Sequence, residues 1–174
     1  MMETVLPKRK SHHLQGYDYT QNGAYFITIC THQRRMLFGS NLEPVGADSI
    51  FARMAARVFR EIIGQYPAVQ CRYFVVMPNH FHALVEIERA RADMESAPTI
   101  ISVVQAFKRY STVAYIRLVK RGQAASFDKH LWQRSFHDHV IRNETDYRMI
   151  AEYIRSNPRL WHKDCFYEEP PHEP

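Results

Sequence analysis

The chain is poor in cysteine, in long apolar runs and in internal breaks, and each shortage excludes something. Its three cysteines, Cys30, Cys71 and Cys165, are odd in number and far apart. Neither a disulfide framework nor a cysteine zinc site is expected, and the thiols read as free in a reducing cytoplasm. No stretch approaches the roughly 18 consecutive apolar residues of a membrane-spanning helix. The opening MMETVLPKRKSHH has no apolar core, so no secretory signal is read there. There is no internal repeat and no linker. With 174 residues the chain is the size of one domain. The expected layout is a basic arm over 1–15, a single body over 16–161 and an acidic, Pro-rich tail over 162–174. What is present is ordinary for a globular protein, 45% hydrophobic and 24% charged. Disorder, collagen-like repeats and coiled coil are excluded for the bulk.

Charge is unevenly spread. Between residues 101 and 142 the basic side chains are Lys108, Arg109, Arg117, Lys120, Arg121, Lys129, Arg134 and Arg142. Only Asp128 and Asp138 oppose these eight, leaving a local charge of +6. Lys8, Arg9 and Lys10 form a second basic cluster. In the tail, Lys163 stands against Asp164, Glu168, Glu169 and Glu173, a balance of −3. A basic body with an acidic tail suits a nucleic-acid binder, or simply an unevenly charged solvated surface.

Periodicity predicts the elements. Residues 24–32 read as a strand. Asp48-Ser49 caps a helix running to about Tyr66, with Phe51, Met54, Ala55, Val58 and Ile62 on one stripe. Residues 69–77 and 80–88 read as two strands of a hairpin across Pro78-Asn79. Thr99 opens a helix to about Lys120, and 131–141 reads as a fourth strand. Asn143 caps a last helix over 144–157, which Pro158 stops. The order β-α-β-β-α-β plus a further helix predicts an α+β, ferredoxin-like fold. Two helices would cover one face of an antiparallel sheet, with the first and third strands central.

Alternation along 80–88 is informative. Phe81, Ala83, Val85 and Ile87 share one face; His80, His82, Leu84 and Glu86 share the other. The first set belongs under the helices, which leaves two histidines side by side on the opposite face. Neutral imidazoles so placed can grip a divalent cation and leave its other positions open. His137-Asp138-His139 repeats the pattern on the fourth strand, where it lines the neighbourhood or is a polar strand face. Tyr153 and Asn157 are four apart on the last helix and so share a face. A tyrosine can be a phosphate nucleophile, and an amide oxygen can be a third metal ligand. The alternative is that Tyr153 packs with Ile150 and Ile154.

Together these residues resemble a family. VVMPNHFHALVEI (75–87) is similar to the His-hydrophobic-His strand of single-tyrosine HUH transposases, and YIRSNP (153–158) to their tyrosine helix. GYDYTQNGAYFITICTHQRRMLFG (16–39), LWQRSFHDHVIRNETD (131–146) and YIRSNPRLW (153–161) resemble the REP-associated tyrosine transposases, and Asn157 in place of Gln matches that branch. The resemblance runs in order over nearly the whole chain, and the tail beyond Trp161 adds nothing to it. It implies a metal-dependent endonuclease/transposase that cleaves and rejoins single-stranded DNA beside palindromic hairpins. Tyr153 would be the nucleophile and would form a 5′-phosphotyrosine link. His80, His82 and Asn157 would hold Mg²⁺ or Mn²⁺. Lys8, Arg9, Lys10, Lys108, Arg109, Arg117, Lys120 and Arg121 would bind DNA. Glu86 is a secondary candidate for metal or base duty, no other general base being evident. Tyr110 and Tyr115 are the competing tyrosines, neither with a metal-ligand partner. A monomer in the cytoplasm, on the nucleoid, is expected. Two other readings stay open: a hairpin DNA or RNA binder that does not cut, and a metal phosphodiesterase that uses water.

Overall fold

Each helix begins where the chain offers a side-chain cap to the orphan amides of a first turn. In the computed structural model, which describes residues 17–19, 21–39, 49–88 and 98–167, helix α1 is Ile50–Ile63 and Ser49 Oγ accepts from Ala52 N at 2.9 Å. Helix α2, Ile100–Lys120, starts at a capping box in which Thr99 and Ser102 bond reciprocally. Helix α3, Glu144–Ser156, starts at Asn143, whose Oδ1 accepts from Asp146 N at 2.9 Å. Glu144 and Asp146 in its first turn favour the positive end of the helix dipole.

The strands are β1 Gly23–Cys30, β2 Val69–Val76, β3 His80–Ile87 and β4 His137–Ile141. They form one antiparallel sheet in the order β2-β3-β1-β4. The expected ferredoxin-like arrangement holds, with β1 and β3 central. Phe81, Ala83, Val85 and Ile87 are fully buried against α1 and α2 in the main core. Each large apolar side chain so buried contributes about 1.5–3 kcal/mol. Truncating Phe81 to Ala removes more, about 3–5 kcal/mol, because a cavity is left. The other face carries a second, smaller core, where Ala151 and Ile154 of α3 bury against Leu84. So α3 lies across the sheet from α1 and α2.

One boundary differs by more than three residues. The fourth strand starts at His137 rather than at 131. Leu131 and Trp132 are both buried, which breaks the alternation of a strand. They are held as a loop: Trp132 pairs with Thr31 in a single bridge and donates its indole N–H to Ser111 Oγ at 2.9 Å. Lys108 Nζ then donates to the carbonyls of Gln133 at 2.9 Å and Ser135 at 2.8 Å.

Candidate catalytic and metal site

The hairpin turn between β2 and β3 sets the first ligand. Met77 N donates to His80 O at 2.8 Å, closing the turn around Pro78-Asn79. Asn79 is fully buried, and its Nδ2 donates to Phe166 O at 2.8 Å. That leaves its Oδ1 facing His80 Nδ1 at 2.8 Å. His80 Nδ1 therefore carries the proton, and its Nε2 presents a lone pair. His82 Nδ1 lies 2.8 Å from Thr28 Oγ1 on the paired strand β1. Its ring stacks on Phe26 with centroids 5.1 Å apart. Both imidazoles are thus locked from behind and turned the same way, 4.3 Å apart.

Helix α3 brings the other groups. Tyr153 is 37% exposed, and its hydroxyl sits 3.4 Å from His82 Nε2. Phe26 meets its ring edge-on at 6.0 Å. Asn157 caps the helix C-terminus, its N–H donating to Tyr153 O at 2.9 Å, and its side chain is buried. A residue assigned above only to the acidic tail completes the cluster. Asp164 Oδ2 accepts from the Tyr153 hydroxyl and from Asn157 Nδ2, each at 2.7 Å, and Oδ1 accepts from Phe166 N at 2.7 Å. The same Oδ2 lies 3.9 Å from His80 Nε2 and 3.9 Å from His82 Nε2. Donor atoms sharing one cation at about 2.1 Å each lie within ~4.2 Å of one another. His80, His82 and Asp164 thus form a group able to hold a metal ion. Among the described residues, the buried side-chain N and O atoms without a hydrogen-bond partner are His80 Nε2 and Asn157 Oδ1. Both are lone-pair donors, and both fit a divalent cation.

Residues 19–157 match the family described as Transposase IS200 like. The chain belongs to that family. The transposase is 32% identical to an uncharacterized protein of Haemophilus influenzae over 91% of its own length and 93% of the relative's. It is 23% identical to a second Haemophilus influenzae protein, named "Putative REP-associated tyrosine transposase", over 81% of this chain and 73% of that one. Its fold is that of a REP-associated tyrosine transposase solved bound to a REP hairpin. The TM-score is 0.56 and the identity 21%, over 90% of this chain and 74% of the other. The family reading made from the motifs therefore holds, and the transposase is a DNA-processing enzyme.

Electrostatics in the site follow from burial and the Asp164 carboxylate. Burial pushes His80 well below its ordinary value, helped by the neighbouring His82 and opposed by Asp164. Burial also lowers His82. Both rings are neutral at pH 7, the form that binds metal. Burial would raise Asp164, but hydrogen bonds from its neighbours outweigh it and hold the carboxyl far below the usual range. Tyr153 is pushed well above 10, first by burial and then by its bond to Asp164. The hydroxyl thus rests protonated.

The other expected site residues fall elsewhere. Glu86 Oε1 accepts from Tyr147 OH at 2.8 Å, away from the histidines. His139 Nε2 pairs with Asp146 Oδ2 at 2.8 Å on the surface, and Asp138 accepts from Tyr19 OH. Thr28 pairs in register with both His82 and His137, so the second His pair shares the site face two strands away. Tyr115 is buried, with its hydroxyl donating to Ala125 O at 3.2 Å; Tyr110 is half exposed. Both lie on α2, across the sheet. Arg109, Arg117, Lys120 and Arg121 are also on α2, with Lys108 committed to the loop carbonyls. Lys8, Arg9 and Lys10 lie outside the described residues. Asp164, Asn79 and Thr28 were missed. The signal for Asp164 was Trp161, an apolar residue just past the helix stop; it is buried, 5.6 Å from the His80 ring.

Proposed function

We propose that this transposase cleaves and rejoins single-stranded DNA beside a hairpin, with Tyr153 as nucleophile and His80, His82 and Asn157 as ligands of Mg²⁺ or Mn²⁺. The observation that carries the reading is the pair of buried, unpartnered ligand atoms, His80 Nε2 and Asn157 Oδ1, beside the Tyr153 hydroxyl. Asp164 adds an anionic oxygen to the same pocket. A bound cation supplies a Lewis acid for the scissile phosphate.

The protein's own groups do the rest. Phe26 and His82 hold the tyrosine ring, so its oxygen meets the phosphorus from a fixed direction. The tyrosine oxygen forms a bond to phosphorus and the P–O3′ bond breaks. The 3′ oxygen leaves as a hydroxyl after taking a proton. The tyrosine proton passes to water, which reaches this 37% exposed side chain and also supplies the proton that the 3′ oxygen takes. The DNA stays joined through its 5′ phosphate. Attack by a 3′-OH reverses the step, so rejoining needs no outside energy.

His80, His82, Tyr153, Asn157 and Asp164 all come from one chain, which supports action as a monomer; the place of action proposed with it is the nucleoid, in the cytoplasm. In this reading the basic arm over 1–15 precedes the catalytic body over 16–161, and the acidic stretch over 162–174 follows it and lends Asp164 to the site. Labelled single-stranded hairpin DNA with Mn²⁺ tests it. A protein–DNA band that survives SDS is expected. Cutting without an adduct would transfer the reading to a water-using phosphodiesterase, and binding without cutting to a hairpin-binding module.

A further inference from the structure

The site does not end at Tyr153. Strand β2 is the outer strand on one side of the sheet, and α1 on one face and the end of α3 on the other both border it. Between them runs an open groove of about 660 Å³ lined by Arg53, Arg60, Arg72, Arg155, Tyr73 and Phe74 among others, with no carboxylate among the described residues of its lining. Four guanidinium groups converge there from three separate elements. The register between β2 and β3 slips between Cys71 and Tyr73, leaving Arg72 as an extra, exposed residue on the edge. Such a bulge re-aims a side chain away from the ladder. Arg60 stacks over the Phe74 ring at 5.0 Å, which fixes it on the α1 wall. Arg155 lies 3.9 Å from Glu152, an exposed pair of little strength.

The groove borders the elements that carry the site. Val75 in its lining pairs in register with His82, and Val76 with Phe81. Paired residues on neighbouring strands are about 5 Å apart. Ile154 and Pro158, also in the lining, are the chain neighbours of Tyr153 and Asn157.

We propose that this groove binds the single-stranded segment of the DNA substrate and feeds it to Tyr153. Its phosphates would lie on Arg60 and Arg72, and an unpaired base against the Tyr73 ring. Guanidinium groups suit phosphate geometry, and an aromatic ring accepts any base face. The assignment of DNA as occupant rests on the function proposed above; the basic groove itself does not.

The test measures equilibrium binding in the Tyr153→Phe background, where cleavage cannot intervene. The probes are a labelled single-stranded oligonucleotide of randomised sequence, its duplex, and a short acidic peptide. Replacing Arg60 and Arg72 by Ala is expected to weaken the single strand about tenfold and to flatten the slope of log affinity against log salt by about 1.4, at roughly 0.7 per lost phosphate contact. Duplex affinity should change less than twofold. Arg148→Ala, which removes one exposed charge elsewhere on α3, should change neither. Equal losses on single strand and duplex, or none, overturn the proposal. So does an arginine-dependent affinity for the acidic peptide with none for the single strand. The SDS-stable adduct on wild type is read separately. An adduct without arginine-dependent strand binding retires the groove alone; arginine-dependent strand binding without an adduct retires the cleavage chemistry alone.

Discussion

Replacing Tyr153 by Phe removes one oxygen, and the structure sets what that should do. The ring keeps its edge contact with Phe26 at 6.0 Å and its contact with the His82 ring at 5.4 Å. The lost interaction is a hydrogen bond to an ionised acceptor, worth about 1.5–3 kcal/mol when buried. Two facts reduce it. The residue is 37% exposed, so water can replace the hydroxyl. Asp164 also keeps its bonds from Asn157 Nδ2 and Phe166 N, and no buried charge is orphaned. The net cost is then about 1 kcal/mol, a fall in Tm of roughly 2–4 °C for a chain of this size. The stabilisation brought by added Mn²⁺ should survive, because the ligand atoms remain. Cleavage and the covalent adduct should both disappear. Gel mobility after SDS, with a melting curve on the same sample, reads both effects. An adduct that persists refutes the reasoning. Tyr110, which is half exposed on the far side of the sheet, and the buried Tyr115 would then be tested next. A fall in Tm well beyond 4 °C would instead mean that the hydroxyl is a structural tie.

Four further outcomes are expected. Mn²⁺ or Mg²⁺ at a hundred times its Kd should stabilise wild type by about 2.7 kcal/mol; His80→Ala should abolish the gain, and no metal-induced rise in Tm in wild type would refute the site. Asp164→Asn should lower the Tyr153 pKa, weaken metal-induced stabilisation and cost about 1–3 kcal/mol, because one of the two oxygens that accept from Phe166 N, Tyr153 OH and Asn157 Nδ2 becomes a donor; an unchanged metal response would remove Asp164 from the ligand set. The metal-free protein should lose stability as pH falls below 6.5, since the unfolded histidines take up protons that buried His80 and His82, facing Asp164 and Arg34, resist. Asp164, held low, has the same sign further down, its contribution being lost as pH falls below the ordinary carboxylate range; a Tm that is flat from pH 7 to 5, or that drops equally in His82→Gln, counts against this. Neutralising Lys8, Arg9 and Lys10 together should weaken hairpin binding and reduce its salt dependence, and an unchanged slope would dismiss the arm as an electrostatic contact.

Alternation made the centre of the fold legible. Four apolar residues on one side of β3 and two histidines on the other can be satisfied only by a sheet with helices on the apolar face. The four-residue spacing of Tyr153 and Asn157 is likewise local, and a helix must put them together. What was illegible was decided by tertiary contacts. Leu131 and Trp132 have strand composition, yet Ser111 on α2 and Thr31 after β1 hold them as a loop. Lys108 counts as one more basic residue in a sum of charges, but its ammonium is held by carbonyls of that loop. Asp164 was averaged into an acidic tail. Its partners are seven and eleven residues back, across a turn that no periodicity marks.

That turn explains why α3 can carry both a core and a site. Ala151 and Ile154 bury against Leu84, while Tyr153 and Asn157 meet the histidines one step along the same strand face. The register of the helix is therefore set by groups that do no chemistry. They include the Asn143 cap, the bond from Tyr147 to Glu86 at 2.8 Å and the burial of Ile154. A rotation of one residue, 100° of helix, would exchange Tyr153 for its apolar neighbour. It would expose Ile154, worth about 1.5–3 kcal/mol, and break the Tyr147 bond together with it. Helix propensity alone offers no such discrimination. Pro158 then ends the helix directly after Asn157, and the chain doubles back through Trp161, packed beside His80. Only that reversal returns Asp164 to the hydroxyl one helical turn before the stop. The position of the nucleophilic oxygen is thus fixed twice, by a small apolar core beneath the helix and by a carboxylate delivered from beyond its end.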